Sequence, residues 1–152
     1  ISLQDEGPPC KCGNLGCWEV FASNNAAIDY YMKVSVNGRN GKAATRAAAP
    51  TIEDLLRLVE QGNQKALETL ERMARYLGRG LAMVSLAIAP EVVYLVGEIT
   101  SAWQHIEPIL WQELQQRCRL PIKTKIVSLD HTTQPRLRGA VALILQKHFA
   151  LP

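Results

Sequence analysis

The sequence predicts an α/β fold in which helices separate the β-strands. Two short runs with β-strand character lie in the second half of the 152-residue chain, at Val92–Val96 and at 121–129. Helical patterns of apolar residues precede, separate and follow these runs. The order strand–helix–strand–helix is typical of parallel strands joined by a right-handed crossover, so we expect the two strands to pair in parallel.

Length and composition limit the class of protein. The chain can form one domain or a large part of one, and its hydrophobic content of 47% argues against disorder. The net charge of +3 and the absence of a lysine–arginine block offer no nucleic-acid surface. The longest apolar run, at 81–90, is too short to cross a bilayer. With no signal peptide and no initiator methionine, we expect a cytoplasmic fragment of a longer protein.

A loop, a helix and a second loop are predicted in the first third of the chain. Residues 1–17 are rich in glycine and proline, which predicts a loop. From Trp18 onward apolar residues recur every three or four positions, which predicts one helix over about 18–32. Residues 33–50 contain glycines and no apolar period, which predicts a surface loop.

Helix signals are strongest from Thr51 onward. The stretch TIED has the form of a capping box with Thr51 as N-cap, so a helix is expected from there to Gly62. A longer helix is expected from about Asn63 to Ala89. Its two glycines, Gly78 and Gly80, each cost about 1 kcal/mol relative to alanine. We interpret them as positions of close helix packing rather than of ligand approach.

The remaining elements follow Pro90. The run Val92–Val96 is short, apolar and bounded by proline and glycine, which predicts a strand buried on both faces. Helices are expected over about 101–118 and about 136–149, on either side of the second strand.

Three of the four cysteines are concentrated in the first loop. Cys10, Cys12 and Cys17 lie within eight residues, whereas Cys118 is about a hundred residues away. Disulfide scaffolds spread their cysteines along the chain, so this clustering favours a metal site in a reducing compartment. Zinc binds four nitrogen or sulfur ligands in a tetrahedron, and three thiolates would supply most of this set. The alternative interpretation is a set of small buried residues.

The fourth ligand is not evident from the spacing. The chain contains three histidines, His105, His131 and His148, and all of them lie far from the cysteine loop in sequence. A lone histidine in such a position is more often a surface or core residue than a metal ligand.

The stretch GPPCKCGNLGCWEVFAS closely resembles the zinc loop of the ROK family, which comprises repressors, uncharacterised reading frames and sugar kinases. The family pattern is a Gly-His pair, about ten residues, and then C-x-C-G-x-x-G-C-x-E. All positions of its second part are present here: Cys10, Cys12, Gly13, Gly16, Cys17 and Glu19. The resemblance implies that the family's histidine ligand lies one position before Ile1, outside this chain.

The resemblance continues to the last helix and implies a fold for the whole chain. The segments ARYLGRGLAMVSLAIAPEVVYLVGE and RLRGAVALIL are similar to the family's long helix with its following strand and to its last helix. The implied architecture is the C-terminal half of an actin-like (ribonuclease-H-like) ATPase fold. Residues 1–17 would form the zinc-binding loop and 18–152 the C-terminal part of the ROK α/β domain. A homodimer or tetramer without membrane contact is the implied assembly.

One site residue beyond the cysteines carries over from the family. The glutamate two positions after the last zinc cysteine binds a hexose hydroxyl there, and Glu19 occupies that position. The alternative is an exposed glutamate favoured by the helix dipole. The implied zinc is structural, because four protein ligands leave no open position for water. The family's catalytic aspartate and phosphate loop lie upstream, so no catalytic residue is assigned.

Two functions compete within this family. A sugar-responsive transcriptional regulator would bind a hexose-like effector here and DNA through an N-terminal domain outside this chain. A sugar kinase would phosphorylate a hexose or an N-acetyl-hexosamine with ATP and magnesium. ROK kinases usually carry Gly-Gly after the strand, where this chain has Glu98 as the second residue, and FASNNAA lacks their Ser-Gly. Both departures favour the regulator; a purely structural zinc domain is the third and weakest interpretation.

Overall fold

The computed structural model describes residues 1–36, 49–118, 123–130, 132 and 134–149. These residues form six α-helices and two strands: α1 (Trp18–Phe21), α2 (Asn24–Val36), α3 (Ile52–Glu60), α4 (Gln64–Ile88), β1 (Val92–Val96), α5 (Trp103–Arg117), β2 (Lys125–Leu129) and α6 (Pro135–Phe149). A 3₁₀ helix at Glu98–Ala102 leads directly into α5. The predicted order of strands and helices in the second half of the chain is confirmed.

The two strands form a parallel sheet, as predicted. Val92 lies opposite Lys125 and Val96 lies opposite Leu129, with α5 in the crossover between the strands. β2 is shorter than the predicted run at 121–129, whose first two residues lie outside the described part of the chain. These strands place their carboxyl ends on the same side of the sheet, beside the 3₁₀ helix.

The prediction that β1 is buried on both faces is wrong for the described residues. Val93 and Leu95 pack against the helical core, but Tyr94 is 60% exposed and Val96 is 42% exposed. Side chains alternate between the two faces of a strand, so one face of the sheet is covered and the other is open.

The hydrophobic core is centred on α4, which packs against α5, α2, α3 and α1. Its largest fully buried apolar side chains come from three helices: Leu55, Leu70, Met73, Ile106, Leu110 and Leu114. α4 can carry a core of this kind because its apolar residues recur at helical spacing along one side.

The capping box predicted at Thr51 is confirmed. Thr51 Oγ1 accepts a hydrogen bond from Asp54 N at 3.2 Å, and Thr51 N donates to Asp54 Oδ2 at 3.0 Å. The bond from the Thr51 backbone, together with the bond from its hydroxyl, lowers the pKa of Asp54. Asn63 caps α4 in the same manner, with its Oδ1 accepting from Ala66 N at 3.1 Å.

The single helix predicted over about 18–32 is wrong, because the chain forms α1 and α2 with a break between them. Ala22 leaves helical geometry with φ −131° and ψ 46°. Ser23 Oγ then accepts from Ala26 N at 3.3 Å, so Ser23 acts as the N-cap of α2. α2 also extends to Val36, past the predicted start of the surface loop, and positions 37–48 of that loop lie outside the described residues.

The glycines of α4 are positions of close packing, as predicted. A Cβ atom on Gly80 would overlap the ring of Trp18, and one on Gly78 would lie 2.8 Å from the Cβ of Glu113. Gly80 therefore allows the residue that follows Cys17 to lie directly on α4, which positions the cysteine loop against the core.

The substitution Gly80→Ala is expected to destabilise the protein by about 1–3 kcal/mol through overpacking. The Trp18 ring has little freedom to move away, because its Nε1 donates to Tyr76 O at 3.0 Å. Gly139→Ala on α6 is the matched control, since a Cβ there meets nothing within 4 Å. Alanine should be neutral or stabilising by up to about 1 kcal/mol at that position. Urea unfolding of both variants tests this, and equal shifts would contradict the packing argument.

α6 differs from the other helices in its exposure. Its described side chains from Leu137 to Lys147 are exposed, and Leu143 reaches 69%. Even so, neither α6 nor another helix in the described ranges has the length and apolar content needed to cross a membrane.

Candidate functional site

The cysteine loop is closed by backbone pairing between its two ends. Ser2 pairs with Cys17 in an antiparallel bridge, and Leu3 N donates to Gly16 O at 2.8 Å. The Ser2 hydroxyl adds a hydrogen bond of 3.0 Å to Leu15 O. This pairing brings the first residues of the chain beside Cys17 and holds the segment 10–17 in a compact turn.

Two glycines allow the loop to fold back on itself. Gly13 has φ +92° and Gly16 has φ +62°, both in the left-handed region that favours glycine. A Cβ atom on Gly16 would also overlap the carbonyl group of Gln4. Cys10 N donates to the carbonyl oxygen of Asn14, which lies between the two glycines, at 2.8 Å, and this bond tightens the turn that presents the cysteines.

The sulfur atoms of Cys10, Cys12 and Cys17 converge at the tip of this loop. All three lie within 4.8 Å of one another, and the sulfurs of Cys12 and Cys17 are 3.5 Å apart. A tetrahedral zinc ion with Zn–S bonds of 2.3 Å requires sulfurs about 3.8 Å apart. The donor set and the spacing therefore fit zinc, whereas Cys118 is buried at the end of α5 and takes no part in this group.

The thiols of this group influence one another's ionisation. The backbone hydrogen bond of Asn14, followed by the contact with the Cys17 thiol, lowers the pKa of Cys12. The same contact with Cys12, followed by burial, raises the pKa of Cys17 to about 11. One thiolate thus opposes the ionisation of the next. A divalent cation would remove this opposition, because it favours the thiolate form of every ligand.

The described histidine does not join the cysteine group. His105 lies on α5, where its ring contacts the Gln104 side chain, and no histidine or carboxylate among the described residues belongs to the group. His131 and the side chain of His148 lie outside the described part of the chain. Within residues 1–17, three thiols that could bind a metal ion are therefore brought together.

Glu19 lies on α1 and lines the same cavity as Cys10. The cavity has a volume of about 280 Å³ and is bounded by Pro8 and Pro9 on the side of the cysteine loop. Glu19 is exposed, and within the described residues its carboxylate makes no hydrogen bond or ion pair. The cysteine group and the predicted sugar-binding glutamate are therefore neighbours in the structure.

The same cavity contains polar residues that the sequence analysis missed. Asn25, Asp29 and Lys33 line it from α2, and Arg72 lines it from α4. The three α2 residues are spaced at i, i+4 and i+8, so they lie along one side of that helix. This spacing was a usable signal. Lys33, however, fell within the predicted surface loop and was thereby separated from the helical positions Asn25 and Asp29.

Aromatic side chains connect the cysteine loop and α1 to the core. Phe21 stacks on Tyr76 with ring centroids 4.6 Å apart, and the Tyr30 hydroxyl donates to Phe21 O at 3.1 Å. The Arg72 guanidinium lies 4.3 Å above the Tyr30 ring. Burial in this cluster, followed by the neighbouring Tyr76, raises the pKa of Tyr30 to about 12. The cavity next to Glu19 therefore has a rigid aromatic wall.

A second cavity, of about 1130 Å³, lies at the carboxyl end of β1. Gly97 and Glu98 border it directly after the strand, and Ser23 and Asn24 border it at the start of α2. Asn24 Nδ2 donates a hydrogen bond to Glu98 Oε2 at 2.9 Å. Ligands of open α/β sheets bind beyond the carboxyl ends of the strands, so this bond crosses a position where a ligand would approach.

Comparison with known proteins relates this geometry to a family. Residues 1–147 match the model of the ROK family. The N-acetylglucosamine repressor of Escherichia coli O6:H1 is 26% identical over 148 residues, which are 95% of this chain and 35% of the repressor. The N-acetyl-D-glucosamine kinase of Photobacterium profundum is 28% identical over an alignment of 154 positions, which covers 97% of this chain and 46% of the kinase.

A solved structure supports the same assignment. A ROK family transcriptional regulator, a homologue of the Escherichia coli MLC protein, superimposes with a TM-score of 0.70 and 29% identity, over 84% of this chain and 33% of the regulator. The chain spans about a third of the length of the repressor and the regulator, and just under half of the kinase. With the match of the family model over nearly its whole length, the chain belongs to the ROK family.

Proposed function

We propose that this chain is the sugar-sensing part of a ROK-family transcriptional regulator and binds a hexose-like effector beside a structural zinc. The hydrogen bond between Asn24 and Glu98 carries the choice of regulator over kinase. The adjacency of Glu19 to the cysteine group supports the sugar site. Both a repressor and a kinase are among the relatives, so neither class follows from similarity alone.

The proposed zinc is held by the thiolates of Cys10, Cys12 and Cys17, with the family's histidine as the fourth ligand in the whole protein. The position of Ile1 supports this assignment, since Ile1 O accepts from Trp18 N at 2.9 Å beside Cys17. A residue preceding Ile1 would therefore adjoin the cysteine group. With four protein ligands the ion fixes the loop and thereby the direction of Glu19, without supplying an open site for catalysis.

The proposed sugar site is the cavity that Glu19 and Cys10 share. A carboxylate without a protein partner can accept hydrogen bonds from two sugar hydroxyls. Asn25 and Asp29 extend the set of groups that can bond to hydroxyls, and both come from the rigid helix α2. The names of two relatives point to N-acetylglucosamine as the first effector to test.

The regulator is favoured because the two departures from the kinase pattern meet in space. ROK kinases usually have Ser-Gly where this chain has Ser23-Asn24, and Gly-Gly where it has Gly97-Glu98. Here the side chains of Asn24 and Glu98 bond to each other across the gap that two glycines would leave open. A carboxylate at this position opposes the approach of triply charged phosphates, which a nucleotide site must stabilise.

The DNA-binding part and the assembly are proposals about the whole protein. A regulator of this class would bind DNA through an N-terminal domain outside this chain. We propose a cytoplasmic homodimer or tetramer, because repressor operators commonly have two-fold symmetry that matches a symmetric protein.

The intact protein is expected to bind a DNA fragment from upstream of its own gene and to release it when sugar is added. Electrophoretic mobility shifts with N-acetylglucosamine, glucose and xylose measure this. In parallel, ATP, magnesium and the same sugars should give no phosphorylation. The Photobacterium profundum kinase is the positive control for that assay.

Sugar phosphorylation above about 1 s⁻¹, the low end of ordinary kinase rates, would overturn the regulator proposal and leave ATP and magnesium as cofactors. Failure of all three sugars to alter DNA binding, with no turnover either, would reject sugar sensing itself.

A further inference from the structure

A buried carboxylate at the interface of α4 and α5 is surrounded by three arginines. The Glu113 side chain is 5% exposed, and its oxygens lie 3.4 Å from Arg79 Nε, 3.3 Å from Arg117 Nε and 3.8 Å from Arg75 Nη1. Arg75 also lies 3.9 Å from Glu71, so its charge is balanced by a second carboxylate. Arg79 and Arg117 share the single oxygen Oε2 of Glu113, which leaves one positive charge in excess.

The terminal amino groups of these two arginines are available. Both residues bond to Glu113 through Nε, and among the described residues none of their Nη atoms makes a hydrogen bond. The Arg79 guanidinium also lies 4.9 Å above the Tyr76 ring, which restricts its orientation. Two guanidinium groups held in this way present donors for an oxyanion without further ordering of their side chains.

Arg79 and Arg117 line a groove of about 470 Å³ that has no acidic residue among its lining side chains. Arg79 and Arg117 form one end. Met83 and Leu86 line the other, one and two further turns along α4, and they are 42% and 60% exposed. A small inorganic anion would use only the basic end and would leave the apolar end uncovered.

We propose that this groove binds an acidic and apolar segment of a partner protein, with a carboxylate on Arg79 and Arg117 and an aliphatic side chain on Met83 and Leu86. The single excess positive charge is complementary to one incoming carboxylate. From Arg79 to Leu86 the helix rises about 10 Å, which about three residues of extended chain also span. The segment therefore carries its acidic and apolar residues about three positions apart.

The test measures fluorescence anisotropy of a labelled peptide with the intact protein. In this peptide a pair of glutamates is followed, after one alanine, by a pair of leucines. Saturable binding is expected with a dissociation constant below about 1 mM. Replacing both glutamates by lysine should abolish binding. The double variant Arg79→Gln, Arg117→Gln should weaken it by at least about tenfold, the usual size for charged hydrogen bonds.

Arg57→Gln is the matched control, because Arg57 pairs with Asp54 on the exposed side of α3 and should leave the affinity unchanged. Should the double arginine variant fail to fold, Leu86→Ser at the exposed apolar end provides the second readout, with an expected loss of about threefold or more. Equal binding of the lysine peptide, or no saturable binding of the glutamate peptide, would overturn the proposal. The proposal would also be overturned if inorganic phosphate competed with the peptide and bound equally well to the Leu86→Ser protein. That result would identify a site for a small anion instead.

Discussion

Removal of zinc is expected to loosen residues 1–17 and to lower the free energy of unfolding of the intact protein by at least about 3 kcal/mol. The loop has little apolar burial of its own, since only Gly16 and Cys17 are buried within it. We therefore expect its compact form to depend, besides the backbone pairing of its ends, on the proposed metal bonds to Cys10, Cys12 and Cys17. Metal analysis of protein purified without added zinc, and thermal unfolding with and without a chelator, measure the effect.

Cys12→Ser is the most informative variant for this prediction. Cys12 is exposed, so the change of sulfur to oxygen removes a metal ligand with little loss of packing. Cys118→Ser is the matched control, because it makes the same chemical change at a buried cysteine outside the group and should retain the metal. Less than about half an equivalent of zinc in the unaltered protein, together with unchanged stability of Cys12→Ser, would reject the structural zinc.

Glu19→Ala is expected to weaken sugar binding by about 1.5–3 kcal/mol, the usual contribution of hydrogen bonds to a charged group. This corresponds to a loss in affinity of about 10-fold to 150-fold. Stability should change little, because Glu19 is exposed and has no protein partner among the described residues. Titration calorimetry of the intact protein with N-acetylglucosamine measures the difference, with glucose and xylose as alternatives.

Glu6→Ala separates a local contact from a general charge effect. Glu6 is an exposed glutamate in the same loop but does not line the cavity next to Glu19. Its removal should leave the affinity for sugar unchanged. Equal affinities of the Glu19→Ala protein and the unaltered protein would remove Glu19 from the sugar site, even if the protein still bound sugar and DNA.

Local features were predictable because their interactions join residues that are close in sequence. The capping box at Thr51 needs only a residue three positions away, and the positive φ angles of Gly13 and Gly16 serve a turn contained in one short loop. The cysteine group is of the same kind, since its three members lie within one loop. For these features residue type and spacing carried the necessary information.

The break between α1 and α2 shows where periodicity alone fails. Apolar residues keep a helical spacing through the break, so the pattern predicts a single helix. The N-cap at Ser23 interrupts it with a hydrogen bond to Ala26 N. The stretch of Ser23 and two asparagines was the available signal, because these residues favour helix starts.

The amino-acid sequence by itself determined the family, the parallel order of strands, the cysteine group and Glu19 as a candidate site residue. Only the tertiary structure decided which distant residues meet. Asn24 and Glu98 are 74 positions apart and bond to each other, and Glu113 is buried among arginines of two helices. Such contacts depend on how α2, α4 and α5 pack, and helix packing is set by the shape of whole surfaces rather than by local spacing.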